Sequence, residues 1–266
     1  MTDAQWAEFA PLLPPQRPRT GRPARDHRTV LGAILWVLRT GAPWRDLPER
    51  FGPWSTAWSR FRRWTAAGVW ARVLAVLQRA AERAGRLDWA THYIDGTVVR
   101  AHRHAAGAVG GQAHEALGRS RGGFSTKVHL RAEGGGKPLA FVVSGGERHE
   151  SRYVEALLAR GHVRRVGRGR PRVRPDRLVG DKGYSYPTVR RLLARRGIRA
   201  VIPRRTNQRP DDRRHGPFDG AAYRDRNRVE RLINRIKQFR RIATRYEKRA
   251  LHYVAMLTLA AWHLWR

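Results

Sequence analysis

The chain contains no cysteine among its 266 residues. Neither a disulfide framework nor a cysteine-ligated zinc site is therefore available to it. It also has no apolar run long enough to cross a bilayer and no recognisable targeting segment at its start. From these absences we expect a soluble, cytoplasmic protein without a membrane partner.

Acidic residues are scarce as well. Only 21 Asp and Glu stand against 55 Lys and Arg, which gives a formal net charge of +34. Such a surface favours a polyanion such as nucleic acid as the partner. Lysine is the rare cation, and a GC-rich genome would inflate arginine in this way, so each lysine is informative. The five lysines are Lys127, Lys137, Lys182, Lys237 and Lys248.

Most of the tryptophans lie in the first quarter of the chain, where the apolar spacing is helical. It predicts one helix that Asp3 caps and that runs to about Leu13, and a second from Asp26 to Gly41. We predict an all-α, helix-turn-helix-like DNA-binding domain over residues 1–86. An amphipathic bundle with solvated arginines remains the alternative. The third predicted helix carries Trp54, Trp58 and Phe61 on an apolar face and Arg60, Arg62 and Arg63 off that face. A fourth helix is predicted from Trp70 to about Ala84.

Residues 87–266 change to a mixed pattern of strands and helices. The predicted order is strand, strand, strand, helix, strand, helix, strand, helix, helix, which is that of an α/β RNase H-like fold. We therefore predict a second, catalytic domain over 87–266. Its predicted elements are Trp89–Asp95, Phe124–Ala132, Leu139–Ser144, Glu150–Arg160, Arg177–Gly180, Tyr186–Arg196, Ile198–Ile202, Ala221–Phe239 and His252–Trp265.

Three acids occupy the first strand, the end of the fourth strand and a late helix of this pattern: Asp95, Asp181 and Glu230. In an RNase H-like fold these places converge. Phosphoryl transfer uses two Mg²⁺ ions roughly 3.5–4 Å apart, which need several hard oxygen ligands. Taken singly, an Asp at a strand end is more often a cap or turn residue, so the prediction depends on all three together.

The segment around Glu230 carries the most specific spacing. Tyr223, Arg226, Glu230 and Lys237 are separated by three, four and seven residues, which places them on one face of a continuous helix. An ordinary surface ion pair between Arg226 and Glu230 is the alternative. It does not explain a lysine at 237 in a chain that otherwise uses arginine.

These residues form a YREK signature, and the chain resembles bacterial insertion-sequence transposases of the DDE class, specifically the insertion-sequence-five-like group. The resemblance covers nearly the whole chain, because the matching strings occur together and in order. They are Leu12-Leu13-Pro14-Pro15, Gly21-Arg22-Pro23, Trp36 to Gly41, Trp44-Arg45-Asp46-Leu47-Pro48, Asp95-Gly96-Thr97, Gly118 to Gly123, Thr126-Lys127, Asp181-Lys182-Gly183-Tyr184 and Arg240 to Tyr246.

The resemblance implies an enzyme that binds the terminal inverted repeats of its own mobile element, excises the element and joins it to a new site. Asp95, Asp181 and Glu230 would hold two Mg²⁺ ions, for which Mn²⁺ can substitute. Tyr223, Arg226 and Lys237, the other YREK residues, would position end phosphates. Hydrolysis frees a 3′-hydroxyl that attacks the target phosphodiester. The implied partner is double-stranded DNA in the nucleoid, bound by a homodimer or larger assembly, with no small-molecule substrate.

The stretch from His102 to Arg121 predicts a loop that becomes ordered on DNA. Its three histidines could bind zinc, but without cysteine or helical spacing a solvated loop is favoured. If Arg119 and Arg121 grip backbone phosphate, replacing both should flatten the salt dependence of binding. Lys127, just beyond, is a further candidate DNA contact.

One departure from the group lies at Gly146-Glu147-Arg148-His149-Glu150, where Glu150 replaces an expected Asp after Gly-Gln-x-His. Three other classes stay open: a nucleic-acid-coating protein that ignores the acids, a catalytically silent transposase-derived DNA-binding protein, and a junction resolvase that cleaves without joining.

Overall fold

The computed structural model describes residues 1–17, 25–109, 111–120, 122–206, 208 and 217–265. Two sequence features lie outside these ranges: the string Gly21-Arg22-Pro23 and the candidate DNA contact Arg121. Within the described residues, every helix is too short or too polar to span a membrane.

Helix α1 (Asp3–Phe9) begins one residue earlier than the sequence suggested. Its N-cap is Thr2, whose hydroxyl accepts a hydrogen bond from the Gln5 amide while the Gln5 side chain accepts one from Thr2. The prediction that Asp3 caps this helix was therefore wrong. Asp3 is the first helical residue, where its charge still favours the helix N-terminus. A 3₁₀ turn over Ala10–Leu12 follows.

Helix α2 (His27–Thr40) has the predicted boundaries. The Asp26 carboxylate accepts the Thr29 amide at 2.8 Å, and Gly41 ends the helix at a φ of 73°, a left-handed conformation that favours glycine. Helices α3 (Trp54–Ala66) and α4 (Val69–Arg83) complete the N-terminal helical region.

A seven-stranded sheet forms the centre of the remaining chain. Its long strand β1 is flanked by antiparallel β3 and parallel β5, giving the order β4-β3-β1-β5-β6, with β2 on β3 and β7 on β1. This order and the helices on both faces confirm the RNase H-like α/β class. The strands are β1 (Thr91–Ala101), β2 (Gly118–Ser120), β3 (Gly123–Ala132), β4 (Pro138–Gly145), β5 (Arg177–Val179), β6 (Arg199–Val201) and β7 (Thr244–Arg245).

Strand β1 does not stop at Asp95, as the sequence suggested, but continues to Ala101. The reason is long-range pairing, because β3 remains in register with β1 from Tyr93↔Ala132 to Arg100↔Ser125. Asp95 therefore lies within a strand, opposite Leu130 of β3.

The helix predicted over Ala221–Phe239 is broken in two. Helix α7 ends at Arg224, and α8 begins at Asn227. One turn of i→i+3 hydrogen bonds, including the Arg226 amide to the Tyr223 carbonyl at 3.0 Å, joins the two helices. The helices of this part are α5 (Val154–Arg160), α6 (Pro187–Arg195), α7 (Gly220–Arg224), α8 (Asn227–Lys237), α9 (Arg240–Ala243) and α10 (Ala250–Leu264).

Alternating side chains of β1 serve two different cores. Tyr93 and Val99 face α8, α10 and the N-terminal helices, whereas Ile94 faces α5 and α6. Both faces of the sheet are therefore covered by packed helices.

Helix α10 lies at the centre of the first core and joins it to the N-terminal region. The ring of Trp262 packs edge-on against Phe9 with centroids 4.6 Å apart, and His252 packs against Trp58 at 5.3 Å. The N-terminal helices thus share one hydrophobic core with the C-terminal helix. A domain boundary at residues 86 and 87 remains a prediction.

Candidate active site

Two neighbouring parallel strands deliver two of the three predicted acids. The pairing of β1 with β5 ends at Tyr93↔Val179, and Asp95 and Asp181 each follow two residues later. Asp181 caps the 3₁₀ turn over Lys182–Tyr184, with its Oδ1 accepting the Gly183 amide at 2.8 Å. This is the point at which a sheet of this kind opens a crevice at the carboxyl ends of its strands.

Helix α8 brings the third acid to the same face of β1 as Asp95. Val229, Leu232 and Ile236 bury one side of the helix against the sheet core. Glu230 lies beside that buried stripe and remains half exposed at its side chain. The amphipathic pattern therefore fixes which way Glu230 is presented.

Arg226 links the acids directly. Its Nη1 lies 3.4 Å from Asp95 Oδ2, and its Nη2 donates a short hydrogen bond to Glu230 Oε1. Asp95 and Glu230, 135 positions apart in the chain, thus share one guanidinium.

Burial raises the pKa of Asp95 from its usual 3.8 to about 6, and the charges of Asp181 and Glu230 act in the same direction. The Gly96 amide, which donates to Asp95 Oδ1 at 2.8 Å, and Arg226 oppose that rise in pKa. The site therefore holds clustered negative charge with incomplete compensation, which a divalent cation would stabilise.

The donor set fits a metal ion by its chemistry, because all three side chains offer hard carboxylate oxygens. Over the described residues, however, no three acidic or imidazole side chains stand close enough together to form a complete metal site. Arg226 explains part of this, since its guanidinium contacts both Asp95 and Glu230. A cation that bound both acids would have to replace Arg226 there.

The four YREK residues do not lie on one continuous helix. Tyr223 belongs to α7, and its ring lies 6.0 Å from the Arg226 guanidinium. Lys237, the last residue of α8, lines a small cavity with Thr97 of β1. The expectation of one continuous helical face was wrong, although the 3₁₀ turn keeps Tyr223 next to Arg226.

Lys127 does not lie free at the surface. On β3, its Nζ binds Glu150 Oε1 at 3.0 Å, and only 12% of its side chain is exposed. Arg119 is exposed and stands over the Phe124 ring at 5.5 Å. Its predicted companion Arg121 lies outside the described residues.

The three arginines predicted on α3 differ from one another. Arg60 is half buried against Trp64, at 5.9 Å from the ring. Arg62 and Arg63 are exposed, and neither forms an ion pair within the part of the chain that the structure describes. Arg62 and Arg63 are thus accessible to solvent, whereas Arg60 is partly covered.

Sequence reasoning missed two groups beside the acids. Tyr184 is fully buried, and its pKa is raised well above the usual value by burial and by the charges of Asp95, Glu150 and Asp181. Glu150, singled out only as a departure from a motif, lies against Gly96. The one signal in the sequence that could have identified Glu150 was its partner Lys127, because lysine is rare in this chain.

Two protein-family models match this chain. Residues 93–265 match the family described as "Transposase DDE domain", and residues 1–74 match "Putative transposase of IS4/5 family". An uncharacterized protein, y4sN, of Sinorhizobium fredii is 42% identical over 108 residues, which is 41% of this chain and 82% of that protein.

Two further similarities are more distant. A protein of Burkholderia cepacia named "Putative transposase for insertion sequence element IS402" is 33% identical over 134 residues, covering 50% of this chain and 59% of its own length. The structure of the piggyBac transposase synaptic complex with hairpin DNA covers 96% of this chain and 69% of that chain, at 13% identity and a TM-score of 0.48. This last likeness is too remote to carry an argument.

Proposed function

Because the chain belongs to the family of transposases with a DDE domain, we propose that it cuts DNA at the ends of an insertion sequence and joins those ends to a new site. The proposed centre consists of Asp95, Asp181 and Glu230. The observation that supports this most strongly is the shared guanidinium of Arg226, since it brings Asp95 and Glu230 to one place.

The acids would bind two Mg²⁺ ions, and Mn²⁺ could substitute. When bound, such ions activate the attacking oxygen and stabilise the leaving oxygen of a phosphodiester. The protein contributes position: β1 fixes Asp95, the 3₁₀ cap fixes Asp181, and the buried face of α8 fixes Glu230. Burial of Asp95 keeps bulk water from competing for its oxygens.

The cations around the centre would hold the DNA. Arg226, on leaving the acids, would bind a phosphate near the cleaved bond, with Tyr223 and Lys237 on either side of it. Arg119 and Arg121 would contact backbone phosphate from the loop, and the N-terminal arginines Arg60, Arg62 and Arg63 would support end recognition. Because the chain carries a net charge of +34, these contacts would add to a general attraction for DNA.

Two ends of one element have to be joined to the same target. A homodimer or larger assembly, with one active centre for each end, meets that requirement and is the form we propose on DNA.

A duplex assay tests this function. Labelled DNA that carries the genomic flanks of the coding region is incubated with the protein and Mg²⁺, and cleavage and strand joining are scored separately. We expect both products from the wild type, and neither from Asp181→Asn. End binding by that variant should persist, since the acid is not needed to hold phosphate.

The other classes give different results in the same assay. Binding without any product would identify a catalytically silent DNA-binding protein, and cleavage without joining a nuclease of the resolvase type. Binding that ignores the flank sequence and the acids would identify a coating protein.

A further inference from the structure

Glu150 lies against Gly96, the residue that follows Asp95, on the opposite face of β1 from α8. Gly96 follows Asp95 in the strand and shares the face of Ile94, against which α5 packs. A methyl group at Gly96 would stand only 2.9 Å from Glu150 Cγ. The absence of a side chain at 96 is therefore what lets the glutamate approach the strand beside Asp95.

The edge of β1 is open at this point. Pairing with β5 stops at Tyr93↔Val179, and pairing with β7 begins only at Arg100↔Thr244. Among the described residues, those between have no strand partner on that side, so no strand covers this edge between the α5 face and the α8 face. A carboxylate on the α5 face can thus serve the same centre as the acids on the α8 face.

Lys127 holds Glu150 in place. The Nζ to Oε1 distance is 3.0 Å, and only 12% of the lysine and 25% of the glutamate side chain is exposed. Burial tends to raise the pKa of Glu150, but the hydrogen bond from Lys127 overcomes this, so that the net shift is downward. The ion pair thus fixes the Glu150 carboxylate beside β1.

A second observation concerns Tyr184, which is buried on the same face of the sheet as Ile94. The Tyr184 ring packs on Gly180 and Ile94, and its hydroxyl is buried with no hydrogen-bond partner among the described residues. Burial raises the pKa of this hydroxyl, and the charges of Asp95, Glu150 and Asp181 act in the same direction. Burying a hydroxyl without a hydrogen-bond acceptor costs free energy. The Tyr184 hydroxyl is therefore suited to donate a hydrogen bond to a carboxylate of a cation site.

We propose that Glu150 is a fourth carboxylate of the divalent-cation centre. Lys127 is its counter-ion in the protein without metal, and the Tyr184 hydroxyl is the donor that orients the completed set. This inference rests on the proposed function. In this proposal Lys127 and Arg226 have the same role. Lys127 pairs with Glu150 and Arg226 pairs with Glu230, and each of these acids would otherwise bind a metal ion.

The test is Mn²⁺ binding by the full chain without substrate turnover, followed through the electron paramagnetic resonance signal of free Mn²⁺ at slightly alkaline pH. Glu150→Gln should lower the affinity roughly tenfold or more. Lys127→Met should raise it, because a competing cation is removed. Glu155→Gln is the matched control, since this glutamate lies nearby, is 67% exposed and pairs with Arg196; its affinity should equal that of the wild type.

Opposite signs for Glu150→Gln and Lys127→Met separate a ligand from a structural ion pair. If both variants bind Mn²⁺ like the wild type, or both bind less well to the same extent, the inference is overturned while the proposed function stands. If Glu150→Gln does not fold, Glu150→Asp retains the charge and should retain most of the binding. A wild type that binds no Mn²⁺, like Asp95→Asn, would count against the proposed function itself.

Discussion

The Arg226 guanidinium lies 3.4 Å from the Asp95 carboxylate, so one of the protein's own side chains partly offsets the charge of this acid. Because the same guanidinium binds Glu230, the arginine stands where a bridging cation would be needed. Cation binding and release of Arg226 are therefore expected to be coupled.

Replacing this arginine should destabilise the protein only while divalent cations are absent. We expect Arg226→Ala to lower the free energy of unfolding by about 1–2 kcal/mol without metal, because two neighbouring acids lose their cation. Millimolar Mg²⁺ should restore most of the loss. Thermal unfolding with and without Mg²⁺ measures this difference.

Arg231→Ala is the control for that experiment, because Arg231 is an exposed arginine of the same helix α8. Its effect should be small and independent of Mg²⁺. An equal loss for Arg226→Ala in both buffers would mean that the arginine does not compete with a cation.

Asp95 should be costly for the fold and indispensable for catalysis. Its pKa rises from 3.8 to about 6 on folding, so the folded state binds more protons in that interval and stability falls as the pH rises through it. Asp95→Asn removes this cost. In the absence of metal we expect its melting temperature to be higher than that of the wild type by roughly 2–5 °C above about pH 6.

The gain should vanish below about pH 4, where the carboxyl group is already neutral in both states. Calorimetry across this range, together with a cleavage assay, distinguishes the two roles. A variant that is both inactive and less stable at neutral pH would point to a structural Asp95.

The sequence predicted local structure well wherever a single side chain sets a boundary. Asp26 and Gly41 delimit α2 as expected, since capping and a left-handed glycine act within one turn. The hairpin of β3 and β4 followed in the same way from the glycines between the two strands. The convergence of Asp95 and Glu230 was also expected, from the order of strands and helices in an RNase H-like fold, and their catalytic role stays a prediction.

Two features of the structure could not be predicted from the sequence. The break between α7 and α8 leaves the helical period almost unchanged, because a turn of i→i+3 bonds replaces only one turn of the helix. The pair of Lys127 and Glu150 is set by the register of β3 against β1 and by the space over Gly96. Neither leaves a periodic signal in the sequence.

Arg241, in α9, and Glu247, after β7, connect the C-terminal part of the chain to the N-terminal region. Their ion pair is 2.6 Å long with both side chains under a tenth exposed, and Arg241 also donates to the Ala42 carbonyl at 3.1 Å. Glu247→Ala should lower the free energy of unfolding by about 3–5 kcal/mol, because it leaves a buried charge unpaired. Chemical denaturation measures the loss.

The double variant Arg241→Met with Glu247→Leu is the comparison for that pair. It removes both charges and should cost less than Glu247→Ala alone. A double variant at least as unstable as the sum of the two single variants would show that the pair is not coupled.

Arg62 and Arg63 are the exposed arginines of α3 on which the prediction of DNA binding by the N-terminal helices depends. Replacing both with alanine should weaken DNA binding and reduce the slope of log affinity against log salt by roughly 2. Arg79 and Arg83, exposed on α4, provide a double variant matched in charge. An equal change in slope for the two pairs would indicate general charge rather than a DNA contact on α3.

The absence of cysteine allows the most direct test of the central claim, because a single introduced thiol is then the only one in the chain. A thiolate binds Mg²⁺ poorly and softer ions such as Mn²⁺ or Cd²⁺ better. The measurement is end cleavage by Asp181→Cys in each ion. We predict no product with Mg²⁺ and recovered product with Mn²⁺ or Cd²⁺, whereas full activity of the variant in Mg²⁺ would contradict a metal-binding role for Asp181.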